Sequence, residues 1–291
     1  KKVGPLLSRR KGKTVKKTSK RGMVIRTIVL AVLAIAFVMP LVWMILTSLK
    51  NTNEVFAVDY HWLPSKFRWD NYKTVWTNDS MSMTRAFANT LFITIISVIG
   101  HLIVAALAAY AFAKVDFKGK NVIFMLFLAS MMIPSQATII PRFMMFKSIG
   151  LYNNLWAVIL PGWFSTTAIF MLRQFYMGLP DDLMEAAKID GAGHLRIFAQ
   201  ILTPLTKPAM VSLTVLACIS SWNEYLSPLI FLVKENLYTV SMAIRWYMLD
   251  DSQRYELTMA AATCSIVPII ILFLFSQKYF VEGIATAGVK G

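Results

Sequence analysis

The sequence predicts an all-α, polytopic membrane protein with six transmembrane helices, from its composition and the length of its apolar runs. The 291 residues are 57% hydrophobic and 15% charged, whereas soluble domains carry roughly 25% charged residues. A bilayer-spanning helix needs about 20 largely apolar residues. Six runs approach this length, and the third has the weakest boundaries: 24–49, 87–113, 122–146, 155–172, 209–233 and 257–280.

The net charge of +15 is concentrated in a tail at the start of the chain. Eleven basic residues and no acidic residue lie between Lys1 and Arg26, directly against the first apolar run. We interpret residues 1–23 as a tail held in the cytoplasm by the positive-inside rule, with contact to anionic lipid headgroups as a second role. The tail has few aromatic residues for base stacking, so nucleic-acid binding is not predicted.

The loops between the runs are consistent with both termini in the cytoplasm. The 114–120 connector has three basic residues and one acidic residue, which favours the cytoplasmic side. The 50–85 and 234–256 segments are nearly charge-balanced and aromatic, so we place them outside. The loop at about 173–208 then lies inside, and residues 24–291 are predicted to form one transmembrane domain.

The 173–208 loop has a composition that suits a docking surface. Asp181 and Asp182 favour a helix start, because acidic side chains interact well with a helix N-terminus. Gly191 ends that short helix, and Pro204 and Pro208 favour a rigid entry into the next run. A helix this short is marginal alone in water. It must therefore pack against its own bundle, as an ordinary amphipathic connector, or against a partner.

Four sequence features give the chain a family resemblance. Glu185-Ala186-Ala187 and Asp190-Gly191-Ala192, with Phe198, Ile201, Pro204 and Pro208 downstream, resemble the EAA loop of bacterial ABC importer permeases. The 108–114 stretch, the 222–225 stretch and the terminal glycines resemble the carbohydrate branch, in particular the second, six-helix maltose permease subunit. This resemblance covers residues 24–291 and implies a type I ABC importer permease fold in the bacterial inner (plasma) membrane.

The resemblance also implies partner proteins and indicates which of them would bind ATP. We expect a heterodimer with a second permease subunit, two ABC ATPase subunits and an extracytoplasmic solute-binding protein. ATP and magnesium would be bound by the ATPases, whereas this chain would bind no cofactor or metal and would have no catalytic residue. The resemblance assigns ATPase coupling to Glu185, Ala186, Ala187, Asp190, Gly191, Ala192, Gly288, Lys290 and Gly291.

Glu224 is an acidic residue inside one of the predicted apolar runs, and its presence there needs an explanation. It lies well inside the fifth run, where a carboxylate is costly unless it is paired or hydrated. Two roles fit: a group on the solute path, or a structural hydrogen bond between helices. Polar and aromatic neighbours are candidates for the same path: Asn89, Ser221, Trp222, Asn223 and Tyr225.

The expected solute is a sugar or oligosaccharide, including neutral and acidic polysaccharide fragments. Arg142 and Arg245 leave an anionic sugar open. The alternatives are an ABC permease for a non-sugar solute, a membrane scaffold, or a secondary carrier or channel without an ATPase. A carrier often shows inverted repeats, and we find none in this sequence.

Overall fold

The computed structural model describes residues 20–59, 61–249 and 254–288, with the side chains of the last helix described as far as Gln277. All regular secondary structure in these ranges is helical, so the all-α prediction is confirmed. Most of the 1–23 tail lies outside the described residues, as do Lys290 and Gly291.

The first helix, α1, spans Lys20–Ser48, and its residues up to Met44 belong to a unit of their own. Apolar side chains point outward all around the 23–43 stretch. A helix that is apolar on every side suits a lipid environment, in agreement with its length and composition.

The second unit, Ile45–Gly291, holds the remaining helices. Three of them come before the connector that follows Lys114: α2 (Thr52–Val55), α3 (Asp70–Thr77) and the long α4 (Met83–Lys114). Five follow: α5 (Lys120–Ser130), α6 (Ile139–Ser148), α7 (Trp156–Gly162), α8 (Thr166–Met177) and α9 (Asp182–Ile189). The rest are α10 (His194–Arg196), α11 (Thr203–Leu205), α12 (Lys207–Trp222), α13 (Leu226–Phe231), α14 (Val240–Leu249) and α15 (Tyr255–Gly288).

Helix α4 is the central element of this unit and packs along α8 and α12. Ala105 and Ala109 on α4 are fully buried. Small side chains let helix backbones approach closely, which matters in lipid because packing there replaces the hydrophobic drive. The alanines of the second apolar run therefore pack within the chain.

Two apolar clusters lie at the two ends of α4. One joins its C-terminal half to α5, α8, α9 and α12 through residues such as Tyr110, Leu172 and Tyr176. The other joins its N-terminal end to α3, α14 and α15. In this second cluster the Tyr247 hydroxyl donates to the Met81 carbonyl at 2.6 Å, which holds α14 against the start of α4.

The predicted runs become helices, but several of them are broken. Three described helices are long and apolar enough to cross a membrane: α1, α4 and α15. Two bent pairs raise the number to five if each is one span: 120–130 with 135–148, at 94°, and 194–205 with 207–222, at 81°. The predicted 155–172 run is divided between α7 and α8. Six spans and cytoplasmic termini stay predictions.

The break between α7 and α8 is held against α4 by one indole ring. Trp163 donates from Nε1 to the Ile96 carbonyl at 3.2 Å. A Cβ placed on Gly100 would lie 2.2 Å from that same nitrogen. His101 also contacts the break, through Nδ1 and the Gly162 carbonyl at 3.1 Å. Gly100 is therefore the position on α4 that makes room for Trp163.

Gly100→Val should displace the Trp163 ring and destabilise the fold. Overpacking of this kind costs about 1–3 kcal/mol, so the thermal unfolding midpoint of the detergent-purified protein should fall by several degrees. Gly162→Ala is the matched control, because its added Cβ meets Ser97 at an ordinary 3.5 Å. Equal midpoints for the two variants would contradict this account of the break.

Candidate coupling loop and solute cavity

The 173–208 loop contains a short helix that ends in a Schellman motif. Helix α9 ends at Ile189, and Gly191 follows with φ +79°. The Gly191 amide donates to the Lys188 carbonyl at 3.0 Å, and the Ala192 amide donates to the Ala187 carbonyl at 2.9 Å. Only glycine adopts this left-handed conformation without strain. The turn predicted at Gly191 is therefore present.

The start of the loop is fixed to the C-terminal end of α4 by a buried ammonium group. Lys114 has a side chain that is only 4% exposed, and it donates to the Leu179 carbonyl at 2.7 Å and to the Asp181 carboxylate at 2.6 Å. This hydrogen bond lowers the pKa of the Asp181 carboxyl. On the same side, Arg173 donates from Nε to the Phe112 carbonyl at 3.1 Å.

The second half of the loop is fixed in the same way. His194 Nδ1 lies 2.9 Å from the Tyr110 hydroxyl, and the Tyr176 hydroxyl lies 3.0 Å from the Thr203 hydroxyl. The segment Ile197–Leu202 is a π-helix, and the side chains at its two ends are fully buried. The loop is therefore attached to its own bundle both at its start and in its second half.

The opposite face of the loop is exposed and carries acidic and apolar side chains. Glu185, Ala186 and Asp190 are exposed, whereas Ala187 is buried against the bundle. Ile189 is 86% exposed and Leu195 is 77% exposed, one on each side of the Gly191 turn. The three ion pairs among the described residues do not include Glu185 or Asp190. Gly288 is the last residue of α15 and lies apart in sequence.

A cavity of about 630 Å³ lies beside α4 in the same unit. Its size is within the range of roughly 300–1,000 Å³ that is typical of small-molecule sites. Helices α4, α6, α7, α8, α12 and α13 contribute its walls. Most of its polar groups are hydroxyls, and two of its side chains carry opposite charges: Arg142 and Glu224.

The structure separates the predicted path residues into two groups. Ser221 and Glu224 line the cavity, whereas Asn89, Trp222, Asn223 and Tyr225 are not among its lining residues. Asn89 donates to the Asn236 and Tyr238 carbonyls at 2.9 and 3.0 Å, and Trp222 donates to the Ser265 carbonyl at 3.0 Å.

Asn223 and Tyr225 lie at the break between α12 and α13. The Asn223 amide donates to the Ile219 carbonyl at 2.9 Å, and Tyr225 is the exposed residue that precedes α13. Contact of these four side chains with a solute stays a prediction.

Sequence reasoning did not assign Arg142, Gln136 or His101 to the path, although all three line the cavity. An ionisable residue inside an apolar run is a functional signal in itself, and Arg142 lies in the 122–146 run. That signal was available for Arg142. Ser165 and Thr167, at the start of α8, carry no charge, and nothing in the sequence marked them as cavity residues.

Comparison with known proteins decides the family. Residues 102–286 match the family described as "Binding-protein-dependent transport system inner membrane component". The match includes the whole 173–208 loop and most of the residues that line the cavity. The chain belongs to this family.

Two known proteins match this chain along nearly their whole length. The arabinooligosaccharides transport system permease protein AraQ of Halalkalibacterium halodurans is 35% identical over 267 residues, which cover 91% of this chain and 95% of AraQ. The melibiose/raffinose/stachyose import permease protein MelC of Bacillus subtilis is 32% identical over 279 residues, which cover 93% and 98%.

The fold is also that of a solved transporter. A chain in the crystal structure of a bacterial ABC transporter involved in the import of the acidic polysaccharide alginate matches with a TM-score of 0.80 and 24% identity. The match covers 92% of this chain and 100% of that chain. The ABC importer permease fold is therefore confirmed, and the chain is a multi-pass membrane protein.

Lys114→Met should loosen the 173–208 loop without changing side-chain volume much. The substitution leaves the Leu179 carbonyl without its donor, which costs about 1–3 kcal/mol for a buried group. Faster hydrogen–deuterium exchange across residues 179–192, measured by mass spectrometry, is the expected result. Lys120→Met is the control, because its partner Asp116 is fully exposed and such pairs contribute little.

The same contact gives a pH dependence of known sign. The carboxyl pKa of Asp181 is lowered in the folded protein, so the contact contributes at neutral pH and is lost as the pH falls through that lowered value. Exchange in the loop of the unsubstituted protein should rise there, whereas the Lys114→Met protein should show no such step.

Proposed function

We propose that this chain is one permease half of an ATP-driven ABC importer for sugars or oligosaccharides. The observation that carries the proposal is the 173–208 loop, which is bonded firmly to its own bundle and yet presents exposed acidic and apolar side chains on its outer face. Family membership supports the importer class. The names of the two relatives, which concern oligosaccharides, support the solute class.

The loop transmits force because it moves together with α4 and α8. Its hydrogen bonds to Lys114, Tyr110 and Tyr176 leave little freedom between the short helices and the bundle. When two ATPase subunits bind ATP and close, the exposed side of α9 is carried with them. The helices around the cavity then tilt from an inward-facing to an outward-facing arrangement, while ATP hydrolysis takes place on the ATPases.

The solute crosses between this chain and a second permease subunit. An extracytoplasmic solute-binding protein delivers it to the outer side. The cavity supplies hydrogen-bonding groups from this half, and Ser221 and Glu224 are the predicted path residues that contribute to it. No covalent step is needed in this chain.

ATPase subunits should co-purify with the tagged chain when it is extracted from its own cells in mild detergent. Ile189→Asp should reduce that co-purification at least tenfold, because a charge then replaces an apolar side chain at the docking surface. Val58→Asp is the matched control, since Val58 is at least as exposed as Ile189 but lies far along the chain in the predicted outer segment. Purification of the chain without any ATPase would favour the carrier or channel alternative.

Gly191→Val should uncouple transport and leave membrane insertion intact. A β-branched residue at φ +79° is strained by at least about 1–2 kcal/mol, so the turn after α9 must change direction. ATP-dependent uptake into cells should fall strongly at an unchanged amount of membrane-inserted protein. Gly193→Val is the control, because Gly193 has an extended backbone with φ −75° and open space around its Cβ position. Unchanged uptake in the Gly191→Val strain would count against docking at this turn.

A further inference from the structure

Arg142 and Glu224 are linked through one residue at the edge of the cavity. Arg142 donates from Nη2 to the Ser227 hydroxyl at 3.3 Å. The Ser227 amide in turn donates to Glu224 Oε1 at 2.8 Å, which caps the start of α13. The two opposite charges are therefore held near each other by helices α6 and α13, and both line the same cavity.

The two charges do not neutralise each other by direct contact. In the described part of the chain, the ion pairs within 4.0 Å all join other residues. The Arg142 guanidinium lies over the Phe231 ring, 5.2 Å from its centroid, and its Nε is buried without a hydrogen-bond partner. No described residue donates to Glu224 Oε2. Glu224 Oε2 and the guanidinium N–H groups that Ser227 does not use thus keep bonding capacity beside one cavity.

The remaining lining is apolar except for hydroxyl groups, Gln136 and His101, and among the residues that the structure describes it includes no further Asp, Glu, Lys or Arg. Serine and threonine side chains come from α4, α8, α12 and the turn before α6, and the lining within the described residues includes no Phe, Tyr or Trp. The Arg142 and Glu224 charges cancel in sum. An anionic solute would gain from the guanidinium but would be repelled by the carboxylate a short distance away.

We propose that this cavity accepts a neutral polyhydroxylated solute, and that the Arg142–Glu224 pair disfavours acidic saccharides relative to neutral ones in this half of the path. A carboxylate accepts from one hydroxyl of a sugar while a guanidinium donates to its neighbour, so the pair matches adjacent hydroxyl groups. The inference rests on the proposed function and deepens it: it names the charge class of the solute, and Arg142 and Glu224 as the residues that determine it.

The charge balance can be measured by thiol labelling of the assembled transporter in membranes. Ser221→Cys, in a background with Cys218→Ala and Cys264→Ala, places a reactive thiol among the cavity residues. Anionic and cationic methanethiosulfonate reagents should label it at similar relative rates. Glu224→Gln should shift the ratio at least about tenfold toward the anionic reagent, and Arg142→Gln by a similar factor toward the cationic one.

Matched variants separate electrostatics from structural damage. Glu224→Gln keeps a carbonyl oxygen that accepts from the Ser227 amide, so α13 stays capped. Arg142→Lys keeps the charge and should retain the original labelling ratio. Glu235→Gln and Arg245→Gln remove the same charges from exposed positions away from the cavity and should leave the ratio unchanged. Ratios that do not respond to Glu224→Gln and Arg142→Gln would overturn the inference.

Solute selectivity is tested by protection of the same thiol from a neutral reagent. Raffinose, a neutral trisaccharide, should slow labelling at least threefold more than trigalacturonate, an acidic trisaccharide, at equal concentration. Glu224→Gln should bring trigalacturonate up to the protection given by raffinose. Stronger protection by trigalacturonate with the pair intact would overturn the inference even where ATPases co-purify. Loss of ATPase association, measured by co-purification, would instead overturn the proposed importer function, so the two failures are distinguished by separate measurements.

Discussion

The close packing of α4 against α8 is the contact on which both functional features depend. Ala105 and Ala109 are fully buried in it, and Ala168 and Leu172 lie on the α8 side of the same cluster. In lipid such packing is stabilised by van der Waals contact and not by exclusion of water. It therefore tolerates little change in side-chain volume. The cavity lies beside this contact, and the 173–208 loop is attached at its end.

The attachment of the loop combines polar and apolar contacts of different kinds. Lys114, Tyr110 and Arg173 provide directional hydrogen bonds to the loop or to its neighbours, whereas Met184 and Ala187 bury the inner face of α9. Directional bonds fix orientation, and buried apolar area supplies most of the stability. A segment held in both ways behaves as an extension of the helix bundle, which is what transmission of a movement over a distance requires.

The sequence predicted the features that local chemistry controls. The helix start at Asp182, the turn at Gly191 and the position of α4 all follow from composition and spacing within a few residues. The 94° bend did not follow, because the 122–146 run has the same apolar character on both sides of it. The break between α7 and α8 did not follow either, because it depends on a tertiary contact, the packing of the Trp163 ring over Gly100 of α4.

The same limit explains the candidate path residues. Glu224 and Ser221 were found because a polar group in an apolar run is conspicuous. Asn89 and Trp222 were equally conspicuous, but their polar atoms bond to carbonyls of distant segments, around Tyr238 and Ser265. Pairing between residues so far apart in the chain cannot be read from one sequence.

The hydroxyl-rich cavity wall has a consequence for the speed of passage. Aromatic faces hold sugar rings by their large apolar contact area, and the described wall of this cavity has none. Hydroxyl groups exchange hydrogen bonds with a solute at nearly the same energy as water does. Apart from the Arg142–Glu224 pair, this wall would therefore hold the proposed sugar solute only weakly, which favours quick passage.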